Sequence, residues 1–259
     1  MAYRPNRLKQ QLGANQRVYG AWCVLGSAFT AEVMALCGFD FLILDQEHGL
    51  GTLDVLAQQL QAVQSTETTA LVRVPGQDAD YLKRVLDHGA EGVIIPNVNT
   101  GEEARAVAAA CRYPPRGTRG SAPTSVRASS YGMAPDYAAA AGGQMLVICQ
   151  IETVAGVENA DAIAAADGVD MVFIGPSDLS NSAGHPGKMD HPEVLALIAR
   201  AEQAAKRAGK PLGTILKPGV TLQQTYAAGY SFVAAGSDLS RLREGCVRDV
   251  KQFQALPSA

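Results

Sequence analysis

"VICQIETVAGVENADAIAAADGVDMVFIGPSDLS", residues 147–180, contains one full repeating unit of this chain. Two apolar runs, Met145–Gln150 and Met171–Ile174, flank Ala155–Ala165, which carries Ala, Glu and Asp at helical spacing. A strand, a helix and a second strand at this length make a right-handed crossover between parallel strands. Each run is also followed by an acid, Glu152 after the first and Asp178 after the second.

The same alternation extends in both directions. Further strands are read at Val18–Leu25, Phe41–Leu44, Leu71–Val74, Gly92–Ile95, Leu212–Ile215 and Phe232–Ala235, and helices at Thr52–Gln64, Gly101–Cys111 and Pro192–Ala208. The strands are almost continuously apolar, as expected when helices cover one sheet face and packed side chains fill the other. Eight strands in alternation predict an α/β chain folded as a (β/α)8 TIM barrel. A doubly wound open sheet would place a Gly-x-Gly-x-x-Gly turn after the first strand, and none occurs there. The 259 residues, 47% of them hydrophobic, suit one barrel, and no linker-like stretch divides them, so residues 1–259 are read as a single domain.

Composition excludes several classes. The net charge is −3, with acids and bases interspersed, and there is no basic stripe for nucleic acid or anionic membrane. No run of 18 apolar residues predicts a membrane span, and the first twenty residues lack the apolar core of a signal peptide. Five scattered cysteines without Cys-x-x-Cys spacing read as buried free thiols, which with the missing signal predicts a cytoplasmic protein. One stretch, Tyr113–Gly143, breaks the alternation. It is rich in Gly, Pro, Ser and Arg, and it leads to the strand end opposite the expected active face. It is read as a segment for subunit contacts or for reaching a neighbour's site, with Arg116, Arg119 and Arg127 solvated or structural.

In a parallel barrel the C-terminal strand ends converge on one mouth. There "FLILD" delivers Asp45 with Gln46, Glu47 and His48, "ALVRVP" delivers Arg73, and the fifth strand delivers Gln150 and Glu152. The sixth delivers Gly175, Pro176, Ser177 and Asp178, and the seventh Leu216 and Lys217. Glu152 and Asp178 come from adjacent strands, so their carboxylates can share a hard divalent cation. Asp178 also fits a helix cap, and Glu152 a solvated side chain; the company of Arg73 and His48 favours the metal. Arg73, inside a buried strand, suits a carboxylate or a developing enolate oxygen, or else a structural ion pair. His48 is a proton carrier with Asp87, in "VLDHGAEGV", as its candidate partner. His88, His185 and His191 are read as surface residues.

Taken in order, "GAWCVLGSAFTAEVMALCGFDFLILDQEHG", "LVRVPGQD", "VLDHGAEGVIIPNVNTGEEA", "CRYPPRGTRG", "RASSYG", "QIET" and "GPSDLS" run through most of the chain. This ordered set resembles the class II pyruvate aldolases of the HpcH/HpaI family, which act on 4-hydroxy-2-oxoheptanedioate or 2-dehydro-3-deoxyglucarate. The resemblance implies Glu152 and Asp178 as metal ligands and Arg73 as the residue that steadies a pyruvate enolate. It implies His48 paired with Asp87 as acid/base, Asp45 as a further carboxylate near that pair, and Gln150 as a contact to metal-bound water or pyruvate. The backbone of Gly175, Pro176 and Ser177 becomes the carboxylate cradle, and Trp22 and Leu216 become pocket walls. It further implies a Mg²⁺, Mn²⁺ or Co²⁺ cofactor, pyruvate and an aldehyde as substrates, a C-terminal helix exchanged between subunits, and a homo-hexamer.

The expected reaction is reversible cleavage of a 4-hydroxy-2-oxoacid to pyruvate and an aldehyde. Alternatives on the same scaffold are a carbon–carbon lyase of acyl-CoA thioesters and a phosphoenolpyruvate-utilising enzyme. A Schiff-base route would need Lys217, which is expected to end its strand in solvent.

Overall fold

The computed structural model describes residues 5–256. Eight parallel strands, β1 (Val18–Cys23), β2 (Phe41–Asp45), β3 (Thr69–Arg73), β4 (Gly92–Ile95), β5 (Leu146–Ile151), β6 (Met171–Ile174), β7 (Leu212–Ile215) and β8 (Phe232–Ser237), pair in sequence order and close into a barrel. The TIM-barrel expectation holds, and β4, β6 and β7 have the bounds read from sequence. The ring is completed by β1 against β8, where the register shifts between Gly20 and Trp22.

Side chains alternate between two cores, as the pleat requires. Leu42 and Leu44 of β2 face outward to the helices, in the larger cluster with Val72 and Val93. Phe41 and Ile43 point into the lumen, with Leu71, Ile94, Ile148, Met171, Phe173 and Phe232. Phe41 and Phe232 stack there at 3.8 Å between ring centroids.

The base of the lumen is closed by a helix absent from the sequence reading, Arg7–Gly13, whose Leu8 and Leu12 join the lumen cluster. Asn6 caps it through the Lys9 N–H and donates from Nδ2 to the Glu91 carbonyl at the foot of β4, while Lys9 pairs with Asp170 at 2.9 Å. The segment is short and polar on its outer face, so helical periodicity gave little signal.

Two other elements and the cysteines depart from expectation. The helix expected over Ala155–Ala165 is two short ones, Val154–Glu158 and Ala160–Ala164, which meet at Asn159. The stretch 113–143 is partly ordered by a 3₁₀ turn, Arg127–Ser129, and by the start of the helix Tyr137–Gln144. Of the cysteines, Cys23, Cys111 and Cys149 are buried and Cys37 and Cys246 are exposed; all are free. Burial pushes the three buried thiols up to about 12, which leaves them unreactive at neutral pH. No helix among the described residues is long and apolar enough to cross a membrane.

Candidate active site

The mouth continues the lumen parity by one step. Ile43 is followed two residues on by Asp45, Leu71 by Arg73, Ile148 by Gln150, and Phe173 by Gly175. The inward-facing layers therefore pass from apolar to polar at the C-terminal strand ends. Asp45 and Arg73 are register partners on β2 and β3. The Arg73 Nε and Nη2 donate to the two Asp45 carboxylate oxygens at 2.9 and 2.6 Å. Both side chains are buried, and the bidentate pair leaves Nη1 facing Glu47 Oε2 at 3.2 Å. The guanidinium lies over the Trp22 ring at 4.4 Å from its centroid, and Trp22 packs edge-on against Phe173.

Asp45 is a holder of the loop after β2 as well as of Arg73. Its Oδ1 accepts from the Glu47 and His48 backbone N–H groups at 3.1 and 3.4 Å. Three of its four hydrogen bonds fall on Oδ1 and one on Oδ2, so Asp45 anchors both Arg73 and the loop beside the reacting space. Gly49 completes the same turn: a Cβ there would lie 2.0 Å from the Asp45 carbonyl oxygen.

On the opposite wall, Glu152 is 2% exposed. Its Oε1 accepts from the Asn97 N–H at 2.9 Å, and the Gln150 side-chain amide donates to its Oε2. Burial raises the Glu152 carboxyl to about 7, and the charges of Asp178 and Glu47 add to the rise. Burial likewise raises Glu47, against the pull of Arg73. Gly175 presses on this group, since a Cβ there would sit 2.6 Å from Glu152 Oε2 and 2.9 Å from Gln150 Nε2. The buried Gln150 Oε1 has no hydrogen-bond partner.

Asp178 lies in the first turn of the helix Pro176–Ser182, exposed, and makes no side-chain cap. A buried carboxylate that resists ionisation, a second acid charge felt beside it and an orphaned amide oxygen form an all-oxygen donor set. That set fits a hard divalent cation.

The predicted pair of His48 with Asp87 does not form within the chain. Asp87 ends the helix Ala79–Asp87, which places it at the base of the barrel, and Arg119 Nη2 binds it at 2.6 Å. Arg119 itself is 3% exposed, donates to Tyr137 at 3.0 Å and lies over the Tyr113 ring. The pair thus ties the 113–143 stretch to the barrel, which bears out a structural role for Arg119. Arg127 is held likewise, by the His88 carbonyl at 2.7 Å and by Gln64. His48 is at the mouth with its side chain 66% exposed, and its Nε2 is 3.9 Å from Glu47. Leu216 and Lys217 follow β7 at the mouth, both half-buried.

Sequence reasoning gave no role to two contributors. Glu47 was placed at the mouth, and its parity with Asp45 was the signal for its facing Arg73. The Asn97 amide follows β4, the one strand end of the second to seventh to which no role was given.

Comparison with known proteins agrees with this architecture. The family model described as HpcH/HpaI aldolase/citrate lyase matches residues 18–245. The chain is 42% identical over 250 residues to a 5-keto-4-deoxy-D-glucarate aldolase of Salmonella arizonae, covering 96% of this chain and 97% of the relative. Among solved structures, an HpcH/HpaI aldolase/citrate lyase family protein from Burkholderia cenocepacia superposes with a TM-score of 0.92 at 35% identity, covering 96% of this chain and all of that one. Citrate synthase SbnG superposes with a TM-score of 0.86 at 27% identity, covering 95% of this chain and 97% of that one.

Proposed function

Because the chain belongs to the HpcH/HpaI aldolase/citrate lyase family and is a carbon–carbon lyase, we propose that it is a metal-dependent class II aldolase cleaving a 4-hydroxy-2-oxoacid to pyruvate and an aldehyde. The observation that carries this reading is the pairing across one mouth of a caged guanidinium, Arg73, with a buried carboxylate, Glu152, whose amide neighbour has an unused oxygen. The Salmonella arizonae relative is named for a sugar-acid ketone, 5-keto-4-deoxy-D-glucarate, and a polyhydroxylated acid of that class is the substrate we infer.

Glu152 and Asp178 would hold the divalent ion, Mg²⁺, Mn²⁺ or Co²⁺, with Gln150 Oε1 receiving a hydrogen bond from its water. When bound, the ion supplies Lewis-acid polarisation of the substrate's keto group. Arg73, fixed by Asp45, offers the enolate oxygen an Nη1 that also faces Glu47 Oε2 at 3.2 Å, so the developing charge is met by a guanidinium already held in place. The Ser177 N–H at the start of the helix receives the carboxylate, since Pro176 has no N–H and the Gly175 N–H is donated to the Ile151 carbonyl at 3.1 Å, and Trp22 and Leu216 close the sides. His48 takes the proton from the C4 hydroxyl as the C3–C4 bond breaks and the aldehyde leaves. His48 then returns that proton to C3 of the enolate, which gives pyruvate and regenerates the neutral imidazole. Asp45 positions Arg73 in this scheme.

The same reading extends to assembly. In the C-terminal helix Asp238–Gln254 Asp238 is the only buried residue, while Leu242, Val247, Val250 and Phe253 are exposed. Phe29, Val33 and Leu36 of the helix Ala28–Leu36 are exposed as well. A 17-residue helix with so little cover from its own barrel is suited to lie on a second copy, which supports helix exchange within a homo-hexamer.

The test is exchange of pyruvate methyl protons with D₂O, followed by NMR with and without EDTA. Exchange that needs metal in the parent chain and is lost in Glu152→Ala is the expected result. Exchange that persists in EDTA overturns the proposal.

A further inference from the structure

Between the helix Pro176–Ser182 and the helix Pro192–Arg207 runs the segment "GHPGKMDHPE", residues 184–193. Its backbone is wound tightly. The His185 N–H donates to the Ser180 carbonyl at 2.8 Å, Lys188 N–H to His185 at 3.0 Å, and His191 N–H to Lys188 at 3.1 Å. Gly184 and Gly187 take φ values of +78° and +73°, in the left-handed region that favours glycine. The winding carries His185 back onto His191, and their imidazoles stack with centroids 3.5 Å apart and planes 21° from parallel. Glu193 stands at the second position of the following helix, behind Pro192, and its Oε2 meets His185 Nε2 at 2.8 Å. Both histidines are half-buried, which corrects their reading as plain surface residues.

One ligand atom from each of His185, His191 and Glu193 lies within 4.8 Å of the others. Among the described residues this is the one such group of three histidine, cysteine or acidic side chains. We propose that these three side chains form a transition-metal site, for an ion of the Zn²⁺, Co²⁺ or Ni²⁺ kind, separate from the oxygen-lined mouth. Two imidazole nitrogens and one carboxylate oxygen make the donor set that such ions select, whereas Mg²⁺ and Ca²⁺ are held by oxygens. A tetrahedral ion with bonds of about 2.0–2.1 Å needs donors about 3.3 Å apart with converging lone pairs, so the two rings must swing out of their stack about χ1 and χ2 to close the site. The carboxylate is already within that reach of one imidazole. Its partly exposed position leaves a coordination place for water.

The ion would bridge both ends of the segment, with His185 on the side tied to Ser180 and with His191 and Glu193 at the start of the next helix. That bridge braces the turn between the helix Pro176–Ser182, which carries Asp178, and the helix Pro192–Arg207. The function is a clamp on the sixth β/α connection, distinct in ligands and metal preference from the catalytic mouth.

Glu152→Ala removes the mouth as a competing site, so Co²⁺ alone is titrated into that variant. One equivalent per chain is expected, with the visible absorption of low-symmetry Co²⁺ bound to nitrogen and oxygen. Adding His185→Ala and His191→Ala should abolish that absorption, and Glu193→Gln, which leaves the backbone cap in place, should weaken Co²⁺ binding by about tenfold or more. Far-UV circular dichroism identifies variants that fold. Failure of Glu152→Ala to bind Co²⁺ at millimolar concentration overturns the proposal, as does identical binding when the two histidines are replaced or when Glu193 alone becomes Gln.

Discussion

Glu152 combines the site's largest electrostatic cost with its proposed role as a metal ligand. Its carboxyl, raised to about 7 in the fold, sits near 4.5 when the chain is unfolded. Between those values the folded state binds more protons than the unfolded one, so stability without metal falls as pH rises through that window, and the deficit persists above it. Glu152→Gln removes the titration. With EDTA at pH 8, the variant should be more stable than the parent by up to about 3 kcal/mol, and the two should converge near pH 4. Urea denaturation at both pH values checks this. Metal affinity of the parent should rise with pH up to about 7 as the carboxylate forms.

Arg73 tests the opposite case, a buried charge already paired. Arg73→Lys keeps the charge and loses the fork that spans both Asp45 oxygens. The exchange rate of pyruvate protons should fall about 100-fold or more, and thermal denaturation should show a loss of about 2–4 kcal/mol. At this scale the sequence was informative about identity and poor about partners. Residues at strand ends could be assigned to the mouth, but that the Asp45 carboxylate holds Arg73 and the loop of Glu47 and His48 could not be read from spacing. The pairing of Asp87 with His48 rested on the family resemblance, and within one chain Asp87 is held instead by Arg119 at the base of the barrel.

Among the elements, the strands were legible because each is buried on both faces, which leaves an apolar run with few alternatives. The helices Leu53–Gln64 and Pro192–Arg207 were legible from their spacing, within a residue at each end. The 113–143 stretch was not, because Arg119, Tyr113 and Tyr137 order it through contacts with each other and with a distant helix end. At the junction of β6 with the helix that follows, Gly175 allows the strand end to approach Glu152. Gly175→Ala should cost about 1–3 kcal/mol, because the new Cβ meets the Glu152 and Gln150 side-chain ends and also Glu152 Cβ at 2.9 Å, which moves only with the end of β5. It should displace the Glu152 carboxylate and weaken Mn²⁺ binding about tenfold or more, measured by calorimetry.

For the molecule as a whole, the strand order and closure followed from the eight alternations, whereas assembly rested on family resemblance. The uncovered apolar face of Asp238–Gln254 supplies a physical reason for assembly. Light scattering should find an oligomer, and Leu242→Asp with Val250→Asp should shift it to smaller species by placing charges in a buried contact. A parent chain that runs as a monomer at micromolar concentration would remove the exchanged-helix reading.

The stacked Phe41 and Phe232 discs, with Leu8 and Leu12 beneath them, make the barrel a cul-de-sac. Traffic has a single doorway, so the fragment lodged deepest departs last. If pyruvate occupies that innermost berth, it should inhibit cleavage competitively and the aldehyde noncompetitively, a kinetic order imposed by a floor of hydrocarbon.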